Sequence, residues 1–165
     1  MPKTVFIDFD GTFADRGQVP KAHLAAVREA RSNAHRVLLC TGRPKSMVPD
    51  RLLDSVFDGL VAAAGGYVEI DGTILADTRF PEDLAARAVT VLTSYDIAFS
   101  LEAPEAVYGP VGIRERIREI LGQTFGSAGA RDMASDILNP LRATNQLSGQ
   151  SFGKVSVFSS PIPVD

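Results

Sequence analysis

Short apolar runs alternate with amphipathic stretches of helical length through the first half of the chain. Thr4-Val5-Phe6-Ile7 is an apolar run with β-branched members, which predicts a buried strand ending at Asp8. After Pro20, the residues Leu24, Val27, Ala30 and Arg31 recur at helical spacing and predict a moderately amphipathic helix over 21–33. Residues 36–40 predict a second buried strand closed by Thr41-Gly42, and 46–57 read as a helix interrupted at Pro49. A third apolar run, 60–64, ends in Gly65-Gly66. Strands alternating with helices favour βαβ crossovers and a parallel sheet.

Asp71-Gly72 between the short runs 67–70 and 73–76 predicts a hairpin, because the tight primed turn needs positive φ. The texture changes after Pro81. Residues 82–95 predict a helix with an acidic first turn and with Leu84, Ala88, Val91, Leu92 and Tyr95 on one face. Residues 97–103 and 106–108 read as paired strands. Residues 111–121 read as a helix burying Ile113, Ile117, Ile120 and Leu121, with an exposed, salt-bridged face in Arg114-Glu115-Arg116-Ile117-Arg118-Glu119. The small and polar residues of 127–149 predict a long loop holding a short helix, and 154–159 predict a closing strand. The expectation is an α/β fold in two parts: an open parallel-sheet core over 1–80, and a unit of helices and antiparallel sheet over 81–165.

Composition narrows the function classes. The chain has 165 residues, 45% hydrophobic and 22% charged, with a net charge of -3, the balance of a soluble globular protein. Dense Lys/Arg patches for phosphate backbones are lacking, so no nucleic-acid partner is expected. No apolar run approaches the roughly 20 residues that span a bilayer, so no membrane partner is expected. The start, MPKTVFIDFDG, has no signal-peptide pattern, and the single Cys40 has no disulfide mate within the chain. A cytoplasmic protein is expected on these grounds.

The sharpest chemical feature is Asp8-Phe9-Asp10-Gly11-Thr12 at the carboxyl end of the first strand, the place where open parallel sheets bind ligands. Two carboxylates at i and i+2 leaving a strand can face one crevice. One can attack phosphorus, and the other can carry a proton to and from the leaving oxygen. A divalent cation between them would offset the repulsion from a phosphate dianion. Gly11 lets the chain turn sharply and expose amides. The competing reading of the same residues is a strand-ending turn with solvated carboxylates. Asp58-Gly59 and Asp71-Gly72 are read as plain turns.

The second feature is Cys40-Thr41-Gly42-Arg43-Pro44, again after a strand. A Thr hydroxyl with loop or helix-start amides makes an oxyanion ledge, and Arg43 can grip a distal phosphate or carboxylate bidentately. An ordinary helix cap uses the same residue types. His23 and His35 lack metal-ligand spacing and are read as solvent-facing, and Cys40 as a small buried apolar residue. No nucleotide P-loop is present, and Gly122, Gly126 and Gly129 are too loosely spaced for a phosphate cradle.

Together, Asp8-Phe9-Asp10-Gly11-Thr12 and Thr41-Gly42-Arg43 resemble the first two motifs of the haloacid dehalogenase-like (HAD) hydrolases, which are mostly Mg-dependent phosphatases. The Thr41-Gly42-Arg43-Pro44 form and the Gly65-Gly66 step before a hairpin resemble the Cof-like subgroup, whose members insert a mixed α/β cap after the third core strand. The resemblance implies a Rossmann-like core with that cap, and a phosphatase of small phosphorylated metabolites of the sugar-phosphate type. It implies Asp8 as the nucleophile that forms an aspartyl-phosphate. Asp10 would be the general acid and base and would lend its backbone carbonyl to a Mg2+ cofactor, which Asp8 would also hold. Gly11, Thr12, Thr41, Gly42 and Arg43 would be the phosphate- and substrate-binding set. Phe99, Tyr108 and Phe152 are candidates for the cap's substrate-facing aromatics, and equally for its core.

The chain departs from the family pattern in three places. Gly65 stands where members often carry Asn. The late Lys that clamps the family's nucleophile and phosphate, and the acidic Gly-Asp motif that completes its Mg site, have no counterpart: Lys154 has the setting of a cap strand, and Arg131-Asp132 and Ser135-Asp136 lack the strand-Gly-Asp context. The chain also ends at Pro161-Ile162-Pro163-Val164-Asp165, where a return to the core is expected, so the expectation is a member cut short. The alternative function is a truncated, non-catalytic phosphate-binding or regulatory module. A third option is a receiver-like domain in which phosphorylation of Asp8 persists.

Overall fold

A computed structural model describes residues 1–15 and 18–161, and the side chains of all of these but 54, 125–134 and 136. The described chain divides into two compact units, Met1–Thr78 and Arg79–Asp165.

The first unit carries β1 (Thr4–Asp8), α1 (Lys21–Ser32), β2 (Arg36–Cys40), α2 (Asp50–Ser55), β3 (Gly59–Ala62), β4 (Tyr67–Ile70) and β5 (Thr73–Asp77). Its sheet runs in the order β1-β2-β3-β4-β5. The first three strands are parallel, with Asp8 level with Cys40 and Cys40 level with Val61. Strands β4 and β5 add to the same sheet antiparallel. Pro49 separates a 3-10 turn at Lys45–Met47 from α2, as its missing N–H and fixed φ require. The Asp71-Gly72 turn has φ of 49° and 74°, the double left-handed conformation of the primed hairpin turn. The core joins Val27 of α1, Val37 and Leu39 of β2, Leu52 of α2, Leu60 and Ala62 of β3, and the loop residues Phe9, Phe13 and Phe57.

The sequence reading of β1 as a buried strand needs correction. Among the described residues β1 is the edge of the sheet, paired with β2, and Phe6 is 61% exposed. Local hydrophobicity reports what a strand can bury, whereas its place in the sheet sets what is covered. Asp58 does more than turn the chain: its carboxylate accepts from Arg31 Nε at 2.9 Å and from the Val37 amide at 2.7 Å.

At Gly59 the backbones of β3 and β4 come so close that a Cβ would sit 2.5 Å from the Glu69 carbonyl oxygen and 2.7 Å from Leu38 Cδ2. Replacing Gly59 by Ala is expected to destabilise the first unit by about 1–3 kcal/mol, because buried strands must part to admit the methyl group. Urea unfolding followed by circular dichroism checks this, and an unchanged midpoint would contradict the packing described.

The second unit carries α3 (Glu82–Ser94), β6 (Ala98–Glu102), β7 (Val107–Gly109), α4 (Ile113–Leu138), β8 (Leu141–Ala143) and β9 (Lys154–Ser159). Its sheet runs in the order β8-β7-β6-β9, with β7 and β8 parallel and the other pairs antiparallel. Phe99, Leu101 and Phe152 form a core with Ala85 and Val89 of α3, and Tyr108 packs at its margin. The three candidate substrate-facing aromatics therefore serve packing. Glu102 is buried, and is satisfied by Lys154 Nζ at 2.7 Å and Ser156 Oγ at 2.5 Å across the β6–β9 pair.

Three sequence readings change in this unit. The predicted loop over 127–149 is mostly helix at its start, since α4 continues to Leu138. Ala128, Ala130 and Ala134 favour that extension, and Gly126 and Gly129 tax it by about 1 kcal/mol each without ending it. α3 buries Ala85 and Val89 and leaves Leu84, Val91 and Tyr95 about half exposed, so its packed face is turned from the one the periodicity suggested. On α4, Arg116 and Arg118 pair with Asp96 and Glu115 as a solvated face would. Arg114 instead turns its guanidinium onto the carbonyls of Leu138 and Leu141. The acid side chains of Asp132 and Asp136, and the terminal residues 162–165, lie outside the described residues.

Candidate active site

The parallel register places the two candidate loops side by side. Asp8 closes β1, Cys40 closes β2, and the two are paired in register, so Phe9–Thr12 and Thr41–Pro44 leave the same end of the sheet from adjacent strands. This is where an open sheet gathers ligand-binding groups.

The first loop is a tight backbone structure. The Phe9 amide donates to the Cys40 carbonyl at 3.1 Å, the Phe13 amide to the Asp8 carbonyl at 3.0 Å, and the Gly11 amide to the Ala14 carbonyl at 2.8 Å. Gly11 sits at φ 79°, a conformation that a β-carbon would strain. The side chains of Phe9 and Phe13 point into the core, while Asp8, Asp10 and Thr12 are exposed. Alternation along the chain thus aims the two acids away from the aromatics between and beyond them.

The second loop is held from both sides. Thr41 is buried, and its Oγ1 accepts the Arg43 amide at 3.1 Å, which leaves its own O–H proton to donate. The Ala63 amide donates to the Arg43 carbonyl at 2.8 Å and the Ala64 amide to the Thr41 carbonyl at 3.2 Å. Ala63, Ala64 and Gly65 all have positive φ, at 50°, 55° and 96°. Two consecutive alanines in the left-handed region are strained, and the strain sits on the residues that clamp this loop. Sequence reasoning flagged only the Gly65-Gly66 step. Nothing lies within 4 Å of where a Cβ at Gly42 would stand, so the loop's outer side has room.

The two loops meet through side chains. Arg43 Nε donates to Asp10 Oδ2 at 2.8 Å and Nη2 to Oδ1 at 2.7 Å, a two-pronged ion pair. The guanidinium lies 5.0 Å from the centroid of the Phe9 ring. The structure thus brings Asp10 and Arg43 together where the sequence reading had Arg43 facing a ligand anion.

A neighbouring cluster escaped the sequence reading. Lys45, directly after Pro44, donates from Nζ to Glu69 Oε2 at 2.5 Å and to the Tyr67 hydroxyl at 3.3 Å, and that hydroxyl donates to Glu69 at 2.5 Å. Burial pulls the Lys45 ammonium down, but its bonds to Glu69 and Tyr67 outweigh this and hold it above its ordinary value. The bond from Lys45 and then that from Tyr67 hold Glu69 below the ordinary carboxylate range against its burial. Burial, and then the bond to Glu69, push Tyr67 up. The cluster ties the end of the second loop to β4. Only the position of Lys45 beside Pro44 hinted at it, since its partners come from a strand more than 20 residues away.

Because Glu69 has a lowered pKa in the folded state, the stability it contributes is present above its ordinary pKa near 4.5. That stability is lost as pH falls through the lowered value. A Glu69→Gln variant is expected to be less stable at neutral pH and to lose less stability than the parent on acidification below about pH 5. Thermal unfolding at several pH values checks this, and parallel pH curves for the two proteins would contradict it.

Cys40 is half-buried, and burial, then the charge of Asp8, push its thiol up. It is therefore a protonated wall of the site and a poor nucleophile. His23 Nδ1 lies 2.9 Å from the Phe13 carbonyl and His35 Nδ1 accepts from the Lys3 amide at 3.2 Å, so both histidines brace backbone. One cleft lies between α1 and α2, at Leu24, Arg28 and Arg51, and another beside the Asp71-Gly72 turn; neither includes a candidate site residue.

Asp8 and Asp10 offer hard oxygen donors two residues apart, the ligand type that Mg2+ takes. Mg2+ commonly uses one or two carboxylates and fills its remaining positions with water and substrate phosphate. Among the described residues no group of three or more His, Cys, Asp or Glu could hold a metal. The acids therefore fit a magnesium ion as a partial donor set.

No curated protein matches the chain. Among solved structures, it is similar to a haloacid dehalogenase-like hydrolase from B. subtilis, with 18% identity, TM-score 0.70 and coverage of 93% of this chain and 59% of that one. It is similar to a protein from Plasmodium vivax described as a HAD/COF-like hydrolase, with 21% identity, TM-score 0.67 and coverage of 93% and 55%. A sugar phosphatase of HAD subclass IIB is similar at 14% identity, TM-score 0.65 and coverage of 94% and 57%. At these identities the likeness is one of fold, and it supports the expected α/β, Rossmann-like architecture. The chain spans rather more than half the length of these structures. The family profile described as haloacid dehalogenase-like hydrolase matches residues 5–141, running through both candidate loops, and the chain belongs to that family.

Proposed function

We propose that this chain is the nucleophile-bearing part of a Mg-dependent phosphatase of a small phosphorylated metabolite, of the sugar-phosphate type. One observation carries the reading: Asp8 and Thr41–Arg43 leave adjacent parallel strands at the same end of the sheet, with Asp10 and Arg43 in contact. Membership of a hydrolase family that includes phosphatases, and the fold shared with a sugar phosphatase, support it.

In this reading a carboxylate oxygen of Asp8 attacks phosphorus in line, and the bond from phosphorus to the ester oxygen breaks. Asp10 gives its proton to the departing alkoxide. Asp10 then takes a proton from water as the water oxygen attacks the aspartyl-phosphate, which frees inorganic phosphate and restores Asp8. The Thr41 hydroxyl and the Gly42 amide hold the phosphoryl oxygens, and Gly11 and Thr12 complete the loop around them. Bound Mg2+, held by the Asp8 carboxylate and the Asp10 backbone carbonyl, would offset the charge between carboxylate and phosphate. The second unit, from Arg79 onward, is read as the cap that selects the substrate. A cytoplasmic setting is proposed from the unpaired thiol of Cys40.

A second reading is favoured by the donor count among the described residues: a phosphate-binding or regulatory module without turnover. Hydrolysis of an aryl phosphate, with and without Mg2+ and beside an Asp8→Asn control, separates the two. Mg-dependent turnover that the substitution removes supports the phosphatase. A folded chain that binds phosphate without turnover supports the module.

A further inference from the structure

We propose that the ligand's own anion takes the place that Asp10 occupies on Arg43, so that an internal carboxylate closes the site and an oxyanion with two coplanar oxygens opens it. The inference rests on the reading of the Thr41–Arg43 loop as a phosphate site and deepens it.

The geometry of the fork carries the argument. Two guanidinium nitrogens, at 2.7 and 2.8 Å, meet the two oxygens of one carboxylate, which is how Arg receives a carboxylate or phosphate from a ligand. The Asp10 carboxylate stands in for such a group. The backbone of Arg43 is fixed, since its amide bonds to Thr41 Oγ1 and its carbonyl accepts from Ala63. Exchange therefore needs movement of the side chains alone. The Phe9 ring, 1% exposed and rigidly packed, gives the guanidinium a flat shelf at 5.0 Å. The Asp10 side chain is 53% exposed, so water can receive its carboxylate when the fork lets go. An ion pair with one partner this exposed gains little from staying closed, and a doubly charged phosphate competes well for the fork. The cost of opening falls on every ligand, and it falls hardest on anions that offer a single oxygen.

The test is a double-mutant cycle on the intact chain in metal-free buffer, reading the affinity for inorganic phosphate by calorimetry or amide shifts. Asp10→Asn removes the internal competitor and is expected to tighten phosphate binding about fivefold. In an Arg43→Met background the same substitution is expected to change affinity less than about twofold, because no fork remains to compete for. Arg43→Lys keeps the charge without the fork and is expected to behave like Arg43→Met. Amide spectra establish that each variant is folded. A parallel titration with acetate shows whether a carboxylate alone claims the fork or a phosphate is needed. An equal effect of Asp10→Asn in the parent and in both Arg43 backgrounds would be simple charge repulsion and would overturn the exchange while leaving the phosphate site standing. Absence of phosphate binding in every variant would overturn the site itself, and the exchange with it.

Discussion

Replacing Asp8 by Asn is expected to lower phosphate-ester hydrolysis by on the order of 10^4-fold or more, to the level of the blank, while phosphate binding stays within a few-fold. The amide keeps the shape of the side chain and can still accept a hydrogen bond. It cannot supply the anionic oxygen that the proposed acyl-phosphate requires, so the effect is expected on the chemical step. Asp8 ends β1 in register with Cys40 and lies exposed at the sheet's end, where the exchange disturbs no packing. Residual turnover of the Asn variant above about one hundredth of the parent would remove Asp8 from the nucleophile's role. A loss of phosphate binding as large as the loss of rate would make its contribution one of ligand binding, not of the chemical step.

Truncating Phe152 to Ala is expected to destabilise the second unit by about 3–5 kcal/mol. The ring is fully buried, its centroid lies 5.2 Å from that of Phe80, and it packs with Phe99, Leu101, Ala85 and Val89. The Phe152 carbonyl also accepts the Phe80 amide at 2.9 Å, so the segment that would have to collapse into the cavity is tied in place. Removing the ring therefore leaves a void that cannot be refilled, which is why the upper half of the range is expected. Denaturant unfolding followed through the α3 and α4 signals measures the loss. A cost under about 1 kcal/mol would mean that the ring faces a ligand space instead of the core, as one sequence reading had it.

Local chemistry made much of this legible. The Asp71-Gly72 hairpin could be read because only a few residues accept two successive left-handed conformations. The ends of β1 and β2 could be read because an apolar β-branched run followed by Asp or by Thr-Gly changes character within one residue. The packed face of α3 was misread because Leu84, Val91 and Tyr95 are as apolar as its true contacts. Which stripe is covered depends on the sheet beneath, where the strip of Ala85, Val89 and Leu92 meets Phe99 and Leu101. The helical run from 127 to Leu138 was missed because its glycines weigh against it locally while the residues around them propagate the helix.

The sequence by itself determined the chemistry on offer: two acids two residues apart after one strand, a Thr, Gly and Arg after the next, and a family whose loops these are. Those features are local, carried by residue types whose spacing survives any arrangement of the rest. Tertiary structure alone decided the pairings. It set Asp10 against Arg43, tied Lys45 to Glu69 and Tyr67, strained Ala63 and Ala64 into holding the second loop, and left β1 on the sheet's edge. Each of these joins residues that are distant along the chain, or fixes a backbone through its neighbours. Their energies depend on distance and burial in space, which residue order does not specify.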